Sequence, residues 1–180
     1  MQLLSDTYLA QLQELHSRRD RPRGFGGKVK PLGMFIKFMD EWLPSTGLDY
    51  GCGKGTILEH LQNTYTNTLW QGYDPAVKKF KKIKLSKYDV VFSNDVLEHI
   101  EPQYVDNVLQ HMDILSNKYL WLRIDTEPAR KILKDGRNAH ICLESKEWWE
   151  KKIKQNIQAE IKFTGFKKGK FDIALQKENI

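Results

Sequence analysis

The stretch LDYGCGKGTIL, residues 48–58, sets the carboxylate Asp49 two residues ahead of three alternate glycines, Gly51, Gly53 and Gly55, with Cys52 inside the turn. Glycines in such a run allow a tight strand-to-helix turn and let a ligand approach the backbone. Two phosphate-binding patterns lose support on counting. A dinucleotide fingerprint, G-x-G-x-x-G, needs its third glycine at position 56, which is Thr56. A P-loop needs Lys followed by Ser or Thr after its last glycine, and Gly55-Thr56 does not supply it. The acid points the same way. A carboxylate sits poorly beside a pyrophosphate and suits a ligand that carries a cation, such as an ammonium or a sulfonium.

The surrounding pattern supplies elements to position these residues. SDTYLAQLQELHS reads as an amphipathic helix, with Ser5 or Asp6 as its N-cap and Leu9, Leu12 and Leu15 on one face. RDRPRGFGGK is a loop by its Gly, Pro and Arg content, and PLGMFIKFMDEWL resumes helical periodicity. The rest alternates. TGLDY, TLWQGYD, YDVVFSN and YLWLRID read as strands. KGTILEHLQNTY, PAVKKFKKI (opened by Pro75 at a favourable first helical position), DVLEHI with PQYVDNVLQHMDIL, and KEWWEKKIKQN after the N-cap Ser145 read as helices. EIKFTGF and FDIALQ, joined by a Gly-containing turn, form a terminal hairpin. Strands alternating with helices imply a doubly wound, mostly parallel α/β sheet with helices on both faces and the antiparallel hairpin at one edge. Ligands in such sheets bind beyond the carboxyl ends of the strands.

At those ends a family resemblance becomes explicit. LDYGCGKGTIL resembles the first motif of class I S-adenosylmethionine-dependent methyltransferases, D/E-x-G-x-G-x-G. The resemblance implies a Rossmann-like core over residues 46–180, preceded over 1–45 by N-terminal helices and an Arg/Gly-rich lid loop, in one methyltransferase domain. It implies that Asp49 faces the methionine end of the cofactor, with Gly51, Cys52, Gly53 and Gly55 around it. Asp74, with Pro75 behind it, would take both ribose hydroxyls, since one carboxylate can accept two donors. The plainer alternative is a turn Asp ahead of a helix. YDVVFSNDVLEHI is similar to the fourth-strand segment of the small-molecule and ubiquinone-pathway-like members. That likeness implies that Ser93, Asn94, Asp95 and Val96 lie near the cofactor and its transferable methyl. Glu98 and His99 either cap the next helix or join in proton transfer. HICLESKEWWEKKI resembles a later segment of the family, which implies either that His140 serves the acceptor side as a base, with Arg137 and Asn138 as acceptor contacts, or that it is a histidine hydrogen-bonded in its loop. Trp148 and Trp149 read as packing residues. The segment 75–87 departs from the family, with neither a clear strand nor an acid for adenine. On position and charge, His16, Arg23, Phe25, Gly26, Gly27 and Lys28 form a lid over cofactor or acceptor.

Methyl transfer from a sulfonium is a direct displacement that needs alignment and exclusion of water. No metal is required, and spacing reveals no metal-ligand cluster. The first expectation is therefore transfer from S-adenosyl-L-methionine, leaving S-adenosyl-L-homocysteine, to an O or N of a small molecule. His140, Asp95 and Asn94 are the catalytic candidates. Net charge +6 and the basic runs RRDRPRGFGGKVK and KKFKKIKLSK keep RNA or another nucleic-acid-associated substrate as an alternative. Against it, the fourth strand ends in SNDV rather than N/D-P-P-Y/F, and no Pro-Cys nucleophile is present. A third reading is a non-catalytic cofactor-binding scaffold protein. The short chain leaves room for a partner protein to complete the acceptor site. Hydrophobic residues at 40% and charged residues at 29% fit an ordinary globular chain. No apolar run approaches a membrane span, no secretory h-region opens the chain, and two cysteines make no disulfide framework, so the expected compartment is the cytoplasm.

Overall fold

A computed structural model describes residues 1–17 and 33–178. The lid-loop residues Arg23, Phe25, Gly26, Gly27 and Lys28 lie outside the described residues. The elements are α1 (Asp6–Ser17), α2 (Met34–Trp42), β1 (Thr46–Tyr50), α3 (Thr56–Thr64), β2 (Leu69–Tyr73), β3 (Tyr88–Asn94), α4 (Val105–Leu115), β4 (Ser116–Asp125), α5 (Lys146–Asn156), β5 (Glu160–Lys167) and β6 (Lys170–Gln176). Single 3-10 turns at Leu97–His99 and Pro102–Tyr104 lead into α4.

The sheet order is β2-β1-β3-β4-β6-β5. The first four strands are parallel, and the hairpin β5–β6 runs antiparallel along β4. Alternation along the strands explains why both faces are covered. On β3, Val91 faces one core while Val90 and Phe92 face the other, and on β4 Leu120, Leu122 and Ile124 oppose Trp121. The first core takes α1, α4 and α5, through residues such as Tyr8, Leu109, Met112, Trp149 and Ile153. The second takes α2 and α3, through Phe35, Met39, Trp42, Leu58 and Leu61. Phe35, Met39 and Trp42 recur at helical spacing, so one stripe of α2 is apolar. Trp149 is fully buried and Trp148 packs at its edge, in line with a packing role for the pair.

Two caps decide local helix starts. Ser145 Oγ accepts from the Trp148 N–H at 3.2 Å and opens α5. Ser5 Oγ accepts from the Tyr8 N–H at 3.2 Å, which settles the choice between Ser5 and Asp6 for α1. Ser5 also donates from its N–H and its hydroxyl to the two carboxylate oxygens of Glu101, at 2.8 and 2.9 Å. That clamp fixes the start of α1 against the segment that follows β3.

One element departs from the sequence expectation. PAVKKFKKI is not a helix; Pro75 opens a closed turn instead. The Asp74 N–H donates to the Phe80 carbonyl at 3.0 Å, and the Asp74 carboxylate takes the Ala76 N–H at 2.9 Å in an Asx turn. A helix here would stack Lys78, Lys79, Lys81 and Lys82 at three- and four-residue spacings, and such like-charge pairs repel. The chain then runs to β3 without a strand, as the sequence indicates for 75–87.

Candidate active site

Chain direction creates the site. From β1 the chain winds outward to β2, then returns to β3 on the other side of β1. The loops after β1 and β3 therefore part and leave a crevice at the carboxyl ends of the strands. Asp49 pairs with Gly72 and Phe92 in register, so the two acids Asp49 and Asp74 end on neighbouring strands.

A cavity opens there. Its wall holds Gly51, Gly53, Asp74, Pro75, Asp95 and Val96 among the residues expected from sequence. Tyr50, His99, Ile100 and Val108 complete the floor, and Leu3, Leu4, Leu12 and His16 of the N-terminal segment close it from above. Asp49, Cys52, Gly55, Asn94 and His140 are not on that wall. Cys52 directs its thiol toward Gly72, behind the turn, where burial pushes the thiol pKa up. Gly55 begins α3 instead, against Phe80.

Asp49 is 2% exposed, and its Oδ2 has no hydrogen-bond partner. Burial, reinforced by the charge of Asp74, pushes its pKa up to about 8. An acid buried in this way stays protonated unless a cationic group pairs with its ionised form. Asp74 is also buried, but it is tied. Its Oδ2 accepts the Gly53 N–H at 3.0 Å and its Oδ1 the Ala76 N–H. Each oxygen keeps a second lone pair, so two hydroxyl donors can still be accepted. The carboxylate thus shapes the glycine turn and remains able to take a diol. These two observations fit a ligand with an ammonium at one end and a ribose beside it.

Backbone conformation explains two of the glycines. Gly51 has φ 79°, and a Cβ there would come within 2.5 Å of the Val96 methyl groups. The loops after β1 and β3 touch at that point. Gly53 has φ 53° and lies under the His16 ring, with 3.6 Å from an added Cβ to the imidazole. We expect Gly51→Ala to lower cofactor affinity at least about tenfold by forcing Val96 aside, while melting within about 1–3 kcal/mol of wild type. Isothermal titration and a thermal melt check the two halves of that expectation.

In the loop after β3, Asp95 takes a left-handed φ of 54°, unusual for a residue with a Cβ and best tolerated by Asp or Asn. Its carboxylate pairs with Lys170 at 3.0 Å, and Lys170 also pairs with Asp125. Asn94 Oδ1 is buried without a partner. His140 Nδ1 lies 2.5 Å from the Glu127 carbonyl, and its ring meets His99 edge-on at 4.9 Å between centroids. The Asn138 side chain is bonded within its own loop, to the Ala129 N–H and carbonyl and to the His140 N–H. Arg137 is engaged by Asp135. Glu98 caps nothing: it is fully buried and neither carboxyl oxygen has a partner. His16 on the wall is held below its ordinary pKa by burial, against the opposing pull of Asp74. Sequence reasoning missed Leu3, Leu4, Tyr50 and Ile100. The only signal for them is apolar character next to a functional segment.

The profile of a family described as "Methyltransferase domain" matches residues 12–168. No curated protein matches the chain by sequence. Among solved structures, magnesium protoporphyrin IX methyltransferase from Synechocystis PCC 6803, with bound SAM, superposes with a TM-score of 0.62 at 16% identity, covering 99% of this chain and 100% of that one. An O-methyltransferase family protein from Burkholderia thailandensis gives 0.60 at 16% identity over 81% of this chain, which spans 53% of that protein. An S-adenosylmethionine-dependent methyltransferase from Clostridium acetobutylicum ATCC 824 gives 0.56 at 12% identity, covering 81% and 90%. These similarities share the fold found here, and the profile covers most of the chain. With the acid-and-glycine turn of β1 set beside Asp74, the chain belongs to the methyltransferase-domain family, as a class I S-adenosylmethionine-dependent enzyme.

Proposed function

We propose that the protein methylates an oxygen or nitrogen of a small molecule. The observation that carries this reading is the orphaned Asp49 carboxyl, buried beside Asp74 and behind the glycine turn whose Gly51 and Gly53 line a largely apolar cavity. S-adenosylmethionine, when bound, supplies a methyl group on an electrophilic sulfonium. Asp49 pairs with its ammonium, and Asp74 accepts its ribose hydroxyls through the lone pairs left beside Gly53 and Ala76. Leu3, Leu4, Leu12 and Val96 exclude water from the reacting atoms. Asp95, neutralised by Lys170, fixes the loop after β3 rather than taking a proton. The Asn94 carbonyl oxygen is a further acceptor of hydrogen bonds there. His140 presents its Nε2 lone pair as the Lewis base of the acceptor side, because its Nδ1–H is committed to the Glu127 carbonyl. The acceptor is small because the cavity is roofed by the chain's own N-terminal helix. A reducing compartment such as the cytoplasm suits the two free thiols, Cys52 and Cys142, and no helix among the described residues is long and apolar enough to cross a membrane.

A second reading draws on one observation. Lys54, Lys78, Lys79, Lys81, Lys82 and Lys84 line a separate groove along α3 and β2. Such a lysine-lined groove suits an RNA backbone. Transfer of a labelled methyl group to a panel of phenols, carboxylic acids and amines, with RNA as a parallel substrate, tests both. Small-molecule labelling that falls about hundredfold in His140→Ala supports the first reading. Labelling of RNA alone, lost steeply with added salt, overturns it. Cofactor binding with no labelling at all supports the scaffold reading.

A further inference from the structure

Three side chains beside the cavity are arranged for something spacing did not reveal. Glu98, His99 and His140 each offer a ligating atom within 4.8 Å of the other two. The tautomers can be read from geometry. His99 Nδ1 lies 2.7 Å from the Ala139 carbonyl oxygen, and His140 Nδ1 lies 2.5 Å from that of Glu127. A carbonyl oxygen only accepts, so both Nδ1 atoms carry the proton and donate. Each imidazole therefore holds its lone pair at Nε2. Backbone carbonyls that fix the far nitrogen in this way are the usual outer shell of a metal-bound histidine. Glu98 adds a second, independent sign. It is 0% exposed, and both of its carboxyl oxygens lack a hydrogen-bond partner. A fully buried carboxyl whose oxygens lack a close hydrogen-bond partner, beside two imidazoles oriented by backbone carbonyls, is a place where a cation would offset the cost of burial.

We propose that Glu98, His99 and His140 form a binding site for a divalent transition metal. Two imidazole nitrogens and one carboxylate suit Zn²⁺ or Fe²⁺ rather than Mg²⁺, which prefers all-oxygen surroundings. Three protein ligands leave coordination positions open for a substrate. Lys170, whose charge acts on Glu98 and His99, is paired with both Asp95 and Asp125, which offsets its repulsion of a dication here. His99 also lines the cavity, which puts the ion at the cavity wall.

The position names the acceptor class: a molecule that chelates through the reacting hydroxyl and a neighbouring oxygen, such as a vicinal diol or a hydroxy acid. A metal ion lowers the pKa of a bound hydroxyl. The hydroxyl proton leaves to solvent, the oxygen forms its bond to the methyl carbon, and the sulfur departs as a neutral thioether with the electron pair of the broken C–S bond. His140 then serves as a ligand, and no separate base is needed. This acceptor role rests on the methyl-transfer reading; the ion site does not.

The test uses Co²⁺, whose visible absorption reports nitrogen and oxygen ligation. Chelator-treated protein is titrated with Co²⁺, then with Zn²⁺, with no cofactor present. One Co²⁺ per chain should give a visible band that Zn²⁺ displaces, and saturating Zn²⁺ should raise the melting temperature. His140→Ala and Glu98→Gln should each weaken Co²⁺ binding at least a hundredfold. If Glu98→Gln does not melt cooperatively, His140→Ala, at a loop position, carries the test. Folded wild-type protein without a Co²⁺ band, or variants that bind Co²⁺ as tightly as wild type, would overturn the site. A protein that binds Co²⁺ but ignores S-adenosylhomocysteine would overturn the methyl-transfer reading and leave the ion site standing.

Discussion

Replacing Asp74 by alanine lowers the affinity for S-adenosylhomocysteine at least about hundredfold. On the proposed reading, two charge-assisted hydrogen bonds to ribose hydroxyls would contribute about 1.5–3 kcal/mol each, and about 1.4 kcal/mol is tenfold in affinity. The substitution also frees the Gly53 and Ala76 N–H groups that the carboxylate now accepts. Leaving those donors unpaired costs stability, about 1–3 kcal/mol, and loosens the turn against which the cofactor lies. Asp74→Asn separates the two effects. Its amide oxygen keeps one of the backbone bonds, so its melt should lie nearer wild type, while the loss of charge and of one acceptor still weakens binding at least about tenfold. Calorimetric titration of both variants, beside thermal melts, is the measurement. An Asp74→Asn protein that binds as wild type would show that Asp74 only shapes the turn.

The second large effect is in pH. Asp49 ionises with a pKa of about 8 in the folded chain because it is buried and faces the charge of Asp74. The unfolded chain ionises it near the ordinary carboxylate value. Between these two values the folded state holds a proton that the unfolded state has lost. Stability of the ligand-free protein therefore falls as pH rises through this window and levels off above about 8. Asp49→Asn removes that slope and gains a few kcal/mol relative to wild type by pH 8, on the order of 1.4 per pH unit. Cofactor binding moves the opposite way. An ammonium pairs with the carboxylate and not with the acid, so affinity should rise up to about tenfold per unit between pH 6 and pH 7.5. In Asp49→Asn the profile should be flat and the affinity low throughout. Chemical denaturation and titration calorimetry across this range check both signs. A wild-type affinity independent of pH would remove Asp49 from the ammonium site.

What the sequence made legible, and what it did not, follows from the range of each signal. The continuous apolar runs in YDVVFSN and YLWLRID mark the central strands, because residues facing two different cores must both be apolar. The acid-and-glycine run marks the β1 turn because a turn packed this closely needs residues without a Cβ, and Gly51 against Val96 shows why. At Pro75 the sequence predicts a helix where the chain forms a turn. Proline at a first helical position is a local signal, and it was outweighed by the Asx bond of Asp74 and the repulsion among clustered lysines. The pairing of Asp95 with Lys170 joins β3 to the far hairpin, and no local pattern encodes it. The same holds for Glu98, His99 and His140. The Glu-His pair and the distant histidine match no metal-ligand spacing, and only the crossing of β4 and the loop after it brings them together. The cavity roof from Leu3, Leu4 and Leu12 was invisible for a similar reason. An amphipathic helix declares an apolar face but not which surface it covers.

The central claim is that the crevice between the β1 and β3 loops binds S-adenosylmethionine. Titration of the intact protein with S-adenosylhomocysteine by calorimetry, with NAD as the control, tests it most directly. The account predicts one site of micromolar affinity for the first ligand and no heat from the second. Binding of NAD, or a folded protein that binds neither, would contradict it.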